Sequence, residues 1–281
     1  MSAGGQPWQH VLTRGLGALA TWLVAAFPAA AQDLSFSGKP IYIESQEIED
    51  ERKRDNWSGQ IGLGVAFGPE YLGASNHQFR SALDIKFNYK DRIFLENNKI
   101  GAVLYNSRFV RAGVLARWNL GRNSDLMIDS ATDAVDVDDA FEIGAFAGGS
   151  LYKFFLTAEL YQGLNSVHKG LSFELEGGYT YEVNSRFKLT PIIGATWASK
   201  GFTRAFFGVE PGDSRFEAFN PTGGLYDTFT EVAGEYRLGK NWLAKGTLRY
   251  SRLRGQAAKS PIVQNGSKDQ LSTFIGIVWL F

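Results

Sequence analysis

The sequence predicts an all-β chain folded as a transmembrane antiparallel up-and-down β-barrel of twelve strands, with ten as the alternative count. Three observations predict it. From Trp57 to the C-terminus apolar and polar residues alternate with period two, and no helical period intervenes. The connections between alternating stretches switch between tight turns and long loops, the pattern of outer-membrane barrels. An export signal precedes them all. A soluble sandwich would share the alternation but neither the one-sided loops nor the signal.

The signal is read in residues 1–31. Arg14 leads an apolar run at 16–27, and Pro28, Ala29, Ala30 and Ala31 supply small residues for a cut before Gln32. That run is shorter than the ~20 residues a spanning helix needs. Residues 32–56 are read as a charged periplasmic tether. Positions 44–55, Glu-Ser-Gln-Glu-Ile-Glu-Asp-Glu-Arg-Lys-Arg-Asp, carry too little apolar surface to offset the entropy of ordering them. A docking arm for a partner is the sharper alternative. Residues 57–281 are the barrel, and no later apolar run is long enough for a spanning helix.

Lys+Arg and Asp+Glu balance at 29 each, which excludes the basic footprint of a nucleic-acid binder. The absence of cysteine fits passage through an oxidising compartment without disulfides.

The strands follow in order. Ile61, Leu63, Val65 and Phe67 alternate with Gln60, Gly62, Gly64 and Ala66, and a loop at 68–77 leads to Phe79–Tyr89 with the same period. Further strands are predicted at 92–97, 99–106, 109–120, 138–152, 154–164, 171–183, 187–199, 226–238, 242–254 and 270–281. Such barrels have an even strand number with both termini on the short-turn side. Taken whole, 92–106 makes eleven; split at Asn97-Asn98 it makes twelve, although each half is shorter than the ~9–11 residues of a spanning strand.

One face of the long strands carries Phe173, Leu175, Phe187, Leu189, Ile193, Leu248 and Tyr250 and is assigned to outer-membrane lipid. The other face carries charges of both signs. Twelve strands enclose a lumen too wide for small side chains to fill. Glu174, Glu176, Arg111, Arg117, Lys245 and Arg249 are the candidate lumen charges. Two readings stay open for them: a mutually paired network that stabilises the interior, or a charged constriction that selects solutes. In the closing strand Thr273, Ile275, Ile277, Trp279 and Phe281 form the lipid-facing row. The aromatic end, Trp279 and Phe281, resembles the assembly signal of outer-membrane barrels.

No catalytic, cofactor-binding or metal-ligating set is expected. His77 near Ser75, Glu70 and Ser81, and His168 near Ser166, place a base by a hydroxyl in sequence only. Asp133, Asp136, Asp138 and Asp139 lack the ligand spacing and closing Glu of a calcium loop. Gly148-Gly149 and Gly223-Gly224 precede no helix, so no phosphate cradle is implied.

Several stretches resemble the MipA/OmpV family of outer-membrane proteins. They are Gly68-Pro69-Glu70-Tyr71-Leu72-Gly73-Ala74-Ser75, the stretch 136–144 with Asp138 and Asp139, Phe206-Phe207-Gly208-Val209, and the block 250–263 with Ser251, Arg252, Ser260 and Pro261, followed by 266–270 with Asp269 and Gln270. Phe206 and Gln256 stand where the family pattern has Tyr and an acidic residue. The resemblance spans about 57–281. It implies an outer-membrane barrel of a Gram-negative bacterium, in one branch a non-enzymatic scaffold that holds a lytic transglycosylase and a bifunctional penicillin-binding protein together. Other branches are porin-like, osmoregulated or adhesive, so a small-solute pore or efflux channel is the alternative. The basic residues Arg252, Arg254, Lys259 and Lys268 are candidates to pair with the acidic group at 136–139, against a default of independently solvated loops.

Overall fold

The computed structural model describes residues 39–43, 56–122, 136–164, 167–213 and 215–281. The expected signal peptide at 1–31 lies outside them, as does most of the expected tether.

The chain builds one antiparallel sheet from β1 (Trp57–Pro69), β2 (His77–Tyr89), β3 (Ile93–Glu96), β4 (Lys99–Asn106), β5 (Val110–Asn119), β6 (Ala140–Leu151), β7 (Phe154–Gly163), β8 (Leu171–Tyr179), β9 (Tyr181–Glu182), β10 (Phe187–Ala198), β11 (Gly224–Arg237), β12 (Trp242–Leu253) and β13 (Asp269–Leu280). Sequential strands pair, β1 pairs β13 and β10 pairs β11, so the sheet closes. β8 and β9 both pair with β10 and form one interrupted stave, which makes twelve staves. The split at Asn97-Asn98 is the hairpin between β3 and β4. Closure leaves the barrel without a free sheet end, as a spanning sheet requires. No helix among the described residues is long and apolar enough to cross a membrane.

Turn chemistry explains the short rim. Lys90 and Asp91 both take φ 52° between β2 and β3. That is the primed geometry whose twist matches paired strands, usually left to Gly or Asn. Here Asn88 Nδ2 braces it by donating to Asp91 Oδ1 at 2.5 Å. Tyr152 (φ 56°) serves the β6–β7 hairpin of the same rim, and Asn97 (φ 50°) the β3–β4 hairpin at the opposite end, each with one left-handed residue.

The period-two pattern sorts the two faces. On β13 Ile275 is 71% exposed while Val278 is 0% exposed, so the row Ile275, Ile277, Trp279 faces outward and Phe274 and Val278 inward. Leu63, Phe79, Ile100, Leu156 and Ile193 continue that outward apolar surface around the barrel. A band of this kind is matched by hydrocarbon and not by water.

Inward phenylalanines sit directly across from inward glycines: Phe94 opposite Gly101, Phe146 opposite Gly113, Phe155 opposite Gly178 and Phe229 opposite Gly194. Each ring lies down on its glycine. A Cβ at Gly194 would stand 2.3 Å from the Phe229 ring, and one at Gly101 2.2 Å from Phe94. The lumen is therefore filled by large rings packed flat against the wall, where small side chains could not have filled it.

Two short helices decorate the long-loop rim, α1 (Lys200–Phe207) and α2 (Pro261–Gln264), with a 3-10 turn at Ala257–Lys259. No helix was expected between 57 and 281, and this is a correction. α1 buries Phe202, Thr203, Phe206 and Phe207 on one face, but spans only two turns. Two turns hold too few repeats to outweigh the surrounding strand pattern.

Candidate functional site

The lumen and its two ends are the site. In the mid-lumen, wall charges meet as ion pairs: Arg117–Glu142 at 2.6 Å, Lys86–Glu96 and Lys99–Glu159 at 2.9 Å, Lys245–Asp84 at 3.2 Å with Glu235 at 3.4 Å, and Arg249–Glu231 at 3.8 Å. Rings complete several of them. The Arg117 guanidinium lies 3.7 Å from the Tyr161 ring centroid and that of Arg249 3.5 Å from Phe229. Thr157 Oγ1 donates to Glu176 Oε1 at 3.2 Å, and Arg111 Nε to Asn106 Oδ1 at 3.0 Å. All six candidate lumen charges thus project inward, with Glu174 lining a cavity described below. Asp84, Glu96, Lys99 and Glu231 were not among the lumen candidates, yet they share that face and join this network, and strand parity is the signal that could have found them.

The short-turn half holds a guest from the same chain. Residues 39–43, read from sequence as part of a charged tether, lie inside the barrel, with Tyr42 and Ile43 almost wholly buried. They pack with Phe94, Val103, Leu115, Phe146, Phe155, Ile192 and Phe229. Tyr42 Oη donates to Glu159 Oε1 at 2.9 Å, and the Ile41 amide points to Glu96 Oε2 at 3.4 Å. The carbonyls of Lys39 and Tyr42 accept from Lys86 Nζ (3.0 Å) and Arg111 Nη1 (3.2 Å). Burial of each large apolar side chain contributes on the order of 1.5–3 kcal/mol. This is a correction to the tether reading for these five residues; a lone Ile-Tyr-Ile among charges carries no period to read.

The long-loop half is lidded by the loops. Phe202, Phe206, Phe207, Val263, Leu253 and Ala257 form one apolar cluster, and Tyr71, Ala74, Val209 and Ile262 another. The motif residues converge here. Gly68 and Pro69 end β1, and the first loop then meets the last, 197 residues away. The Gly73 amide donates to Gln270 Oε1 (3.3 Å), Gln270 Nε2 to the Ala74 carbonyl (3.1 Å), and the Ser267 amide to the Gly73 carbonyl (2.7 Å). Gly73 takes φ +98°, and a Cβ there would stand 2.6 Å from Val263 Cγ2. Both requirements select glycine. Ser260 Oγ donates to the Phe207 carbonyl at 2.7 Å, and Pro261 begins α2. Arg122 donates to the Phe206 carbonyl at 3.3 Å and lies 5.3 Å from the Tyr71 ring. Burial pulls the Arg122 guanidinium down to about 10 and pushes the Tyr71 phenol up. Glu70 is buried in the same loop.

Beneath the lid lies a cavity of about 120 Å³ lined by Tyr71, Phe202, Phe206, Lys99, Arg117, Glu174, Asp227, Arg249, Ser251 and Gln270, among others.

Other expectations land differently. Arg252 pairs with Asp269 at 3.3 Å and Arg254 Nε donates to Thr228 Oγ1 at 3.0 Å, away from the acidic group at 136–139. Asp138 and Asp139 are exposed just before β6. His77 Nδ1 donates to the Ser75 carbonyl at 3.1 Å, so it faces no hydroxyl there. His168 Nε2 lies 3.0 Å from Glu142 Oε1, while Ser166 and Asp133 are outside the described residues. Phe281 is tied to Gly59 by two backbone hydrogen bonds, 3.1 and 3.2 Å, and Trp279 stands beside it on the outer face.

A closed barrel with an apolar outside and an ion-paired interior is a transmembrane β-barrel. The chain belongs to the family described as MltA-interacting protein MipA, whose profile matches residues 61–281. It is 29% identical over 115 residues to proteins named MltA-interacting protein from Escherichia coli K12 and Shigella flexneri, a match covering 40% of this chain and 45% of theirs. The chain thus matches under half the length of these relatives. Among solved structures it is similar to the NanC porin (10% identity, 77% of this chain and 98% of that one, TM-score 0.41). It is also similar to a bacterial polysaccharide outer membrane secretin (8% identity, 80% and 99%, TM-score 0.42). Likeness at these TM-scores carries nothing about function.

Proposed function

We propose that this chain is a non-enzymatic outer-membrane barrel that acts as an interaction platform for peptidoglycan-remodelling enzymes, a lytic transglycosylase and a penicillin-binding protein. In this reading it is exported with a cleaved signal peptide. The observation that carries the proposal is the occupied lumen: residues 39–43 fill the short-turn half and the motif-bearing loops lid the other. A barrel filled in this way offers its rims and its charged residues 44–55 to other proteins more readily than it offers a path to solutes. The name of the relatives, MltA-interacting protein, supports the same reading.

Affinity capture from an envelope extract tests it, comparing the full chain with a variant in which residues 44–55 are replaced by a Gly/Ser stretch of the same length, which keeps the connection from 39–43 to the barrel. The full chain is expected to retain murein enzymes and the variant to lose them. Retention of none by the full chain would remove the scaffold reading.

The second reading, a small-solute pore, draws on the mixed-sign lumen, since charged linings select ions in pores. Steady single-channel current through the full chain would favour it.

A further inference from the structure

We propose that the short-turn half of the lumen is a peptide-binding site, filled at rest by the chain's own Lys39-Pro40-Ile41-Tyr42-Ile43 and able to take a peptide of the same chemistry supplied in trans.

The seat is preformed. Its floor is made of Phe94, Phe146, Phe155 and Phe229, each directly across from an inward glycine on the neighbouring strand. Any Cβ at those glycines would come within 2.2–2.9 Å of the ring, so strand pairing itself fixes the rings flat. An aromatic floor inside a lumen otherwise lined by charge suits an apolar guest, with the Phe229 ring also holding the Arg249 guanidinium.

The seat also survives the guest's departure. Glu96 keeps Lys86 at 2.9 Å, Glu159 keeps Lys99 at 2.9 Å, and Arg111 keeps Asn106 at 3.0 Å. Withdrawal of residues 39–43 therefore leaves Glu96 and Glu159 each with a cation on the wall and Arg111 with the Asn106 amide, so neither buried carboxylate is left uncompensated.

Recognition is of a peptide, because backbone and side chain are both read. Two guest carbonyls accept from Lys86 and Arg111, the Ile41 amide faces Glu96, the Tyr42 phenol donates to Glu159, and the Lys39 ammonium sits 5.7 Å from the Phe155 ring centroid. A ligand is thus specified as a cation followed by an apolar–tyrosine–apolar run. Residues 44–55 join the guest covalently to the start of the barrel. Its effective concentration at the seat is then on the order of millimolar, and a free peptide must outcompete that.

The test uses the full chain with residues 39–43 replaced by Gly-Ser-Gly-Ser-Gly, refolded in detergent and checked for heat-modifiable gel migration. The probe is a fluorescein-labelled synthetic peptide spanning 37–45. Saturable binding is expected to the emptied variant, at least about tenfold tighter than to the wild type, and about tenfold weaker when Glu159→Gln is added, the loss expected for a missing charge-assisted hydrogen bond. No saturable binding by the folded emptied variant, or equal binding by the wild type, overturns the proposal. If the emptied variant does not fold, the single-cysteine variant Ile43→Cys decides, since the chain has no native cysteine. Its thiol is expected to resist a membrane-impermeant maleimide and to become reactive when excess peptide is added. Labelling as fast as in the unfolded chain, or protection that excess peptide leaves unchanged, counts against the site.

Discussion

The two halves of the lumen are closed by different means. The long-loop half is closed by a lid whose parts belong to one another: Gly73 bonds to Ser267 and to Gln270 at the start of β13, 197 residues away, and Ser260 bonds to Phe207. The short-turn half is closed by a guest that leans on wall groups already paired among themselves. The lid is part of the fold, therefore, and the guest is a ligand of it. Motif residues concentrate in the lid, while the guest lies outside the stretch the family profile matches, 61–281.

The comparison can be broken at several points. The largest effect is expected at the layer between the halves. Arg117→Met removes the guanidinium that pairs with buried Glu142 and leaves only Asn119 and His168 beside that carboxylate, and should lower the unfolding free energy in detergent by about 3 kcal/mol. The double variant Arg117→Met/Glu142→Leu should recover part of it, as denaturant midpoints would show.

Next comes the floor of the seat. Gly194→Val places methyl groups where the Phe229 ring lies, and should cost about 1–3 kcal/mol. It should also speed labelling of an introduced Ile43→Cys without altering protease resistance of the long loops.

Gly73→Ala acts on the other half. It strains a φ of +98° and crowds Val263, for about 1–2 kcal/mol. Limited proteolysis should then cut the first and last loops faster, with residues 39–43 still protected.

The smallest change is Tyr42→Phe. It removes one donor to Glu159, which retains Lys99 and Tyr161, so the seating of residues 39–43 in the lumen, not the unfolding of the barrel, should weaken by about 1 kcal/mol. Faster thiol labelling at Ile43→Cys with an unchanged denaturant midpoint would separate guest from lid.

Much of this architecture was legible in the sequence. Period two assigned Ile275 outward and Val278 inward, and turned Arg111, Arg117, Lys245 and Arg249 toward the lumen, because in a strand parity alone decides the face. Even strand number forced the division at Asn97-Asn98, though a four-residue β3 would not pass as a spanning strand by itself. The lid was readable only as separate motifs. Gly73 and Gln270 lie 197 residues apart, and nothing in either stretch names the other. The guest was hidden for a different reason. Three apolar residues after Pro40 and before a run of acids look solvated, and their burial depends wholly on a floor built by four distant hairpins.

The central claim is that the barrel is closed at rest by its own chain. Single-channel recording of the full chain in a planar bilayer tests it most directly. The filled lumen predicts a silent membrane under applied voltage; steady unitary currents from the wild-type barrel would contradict it.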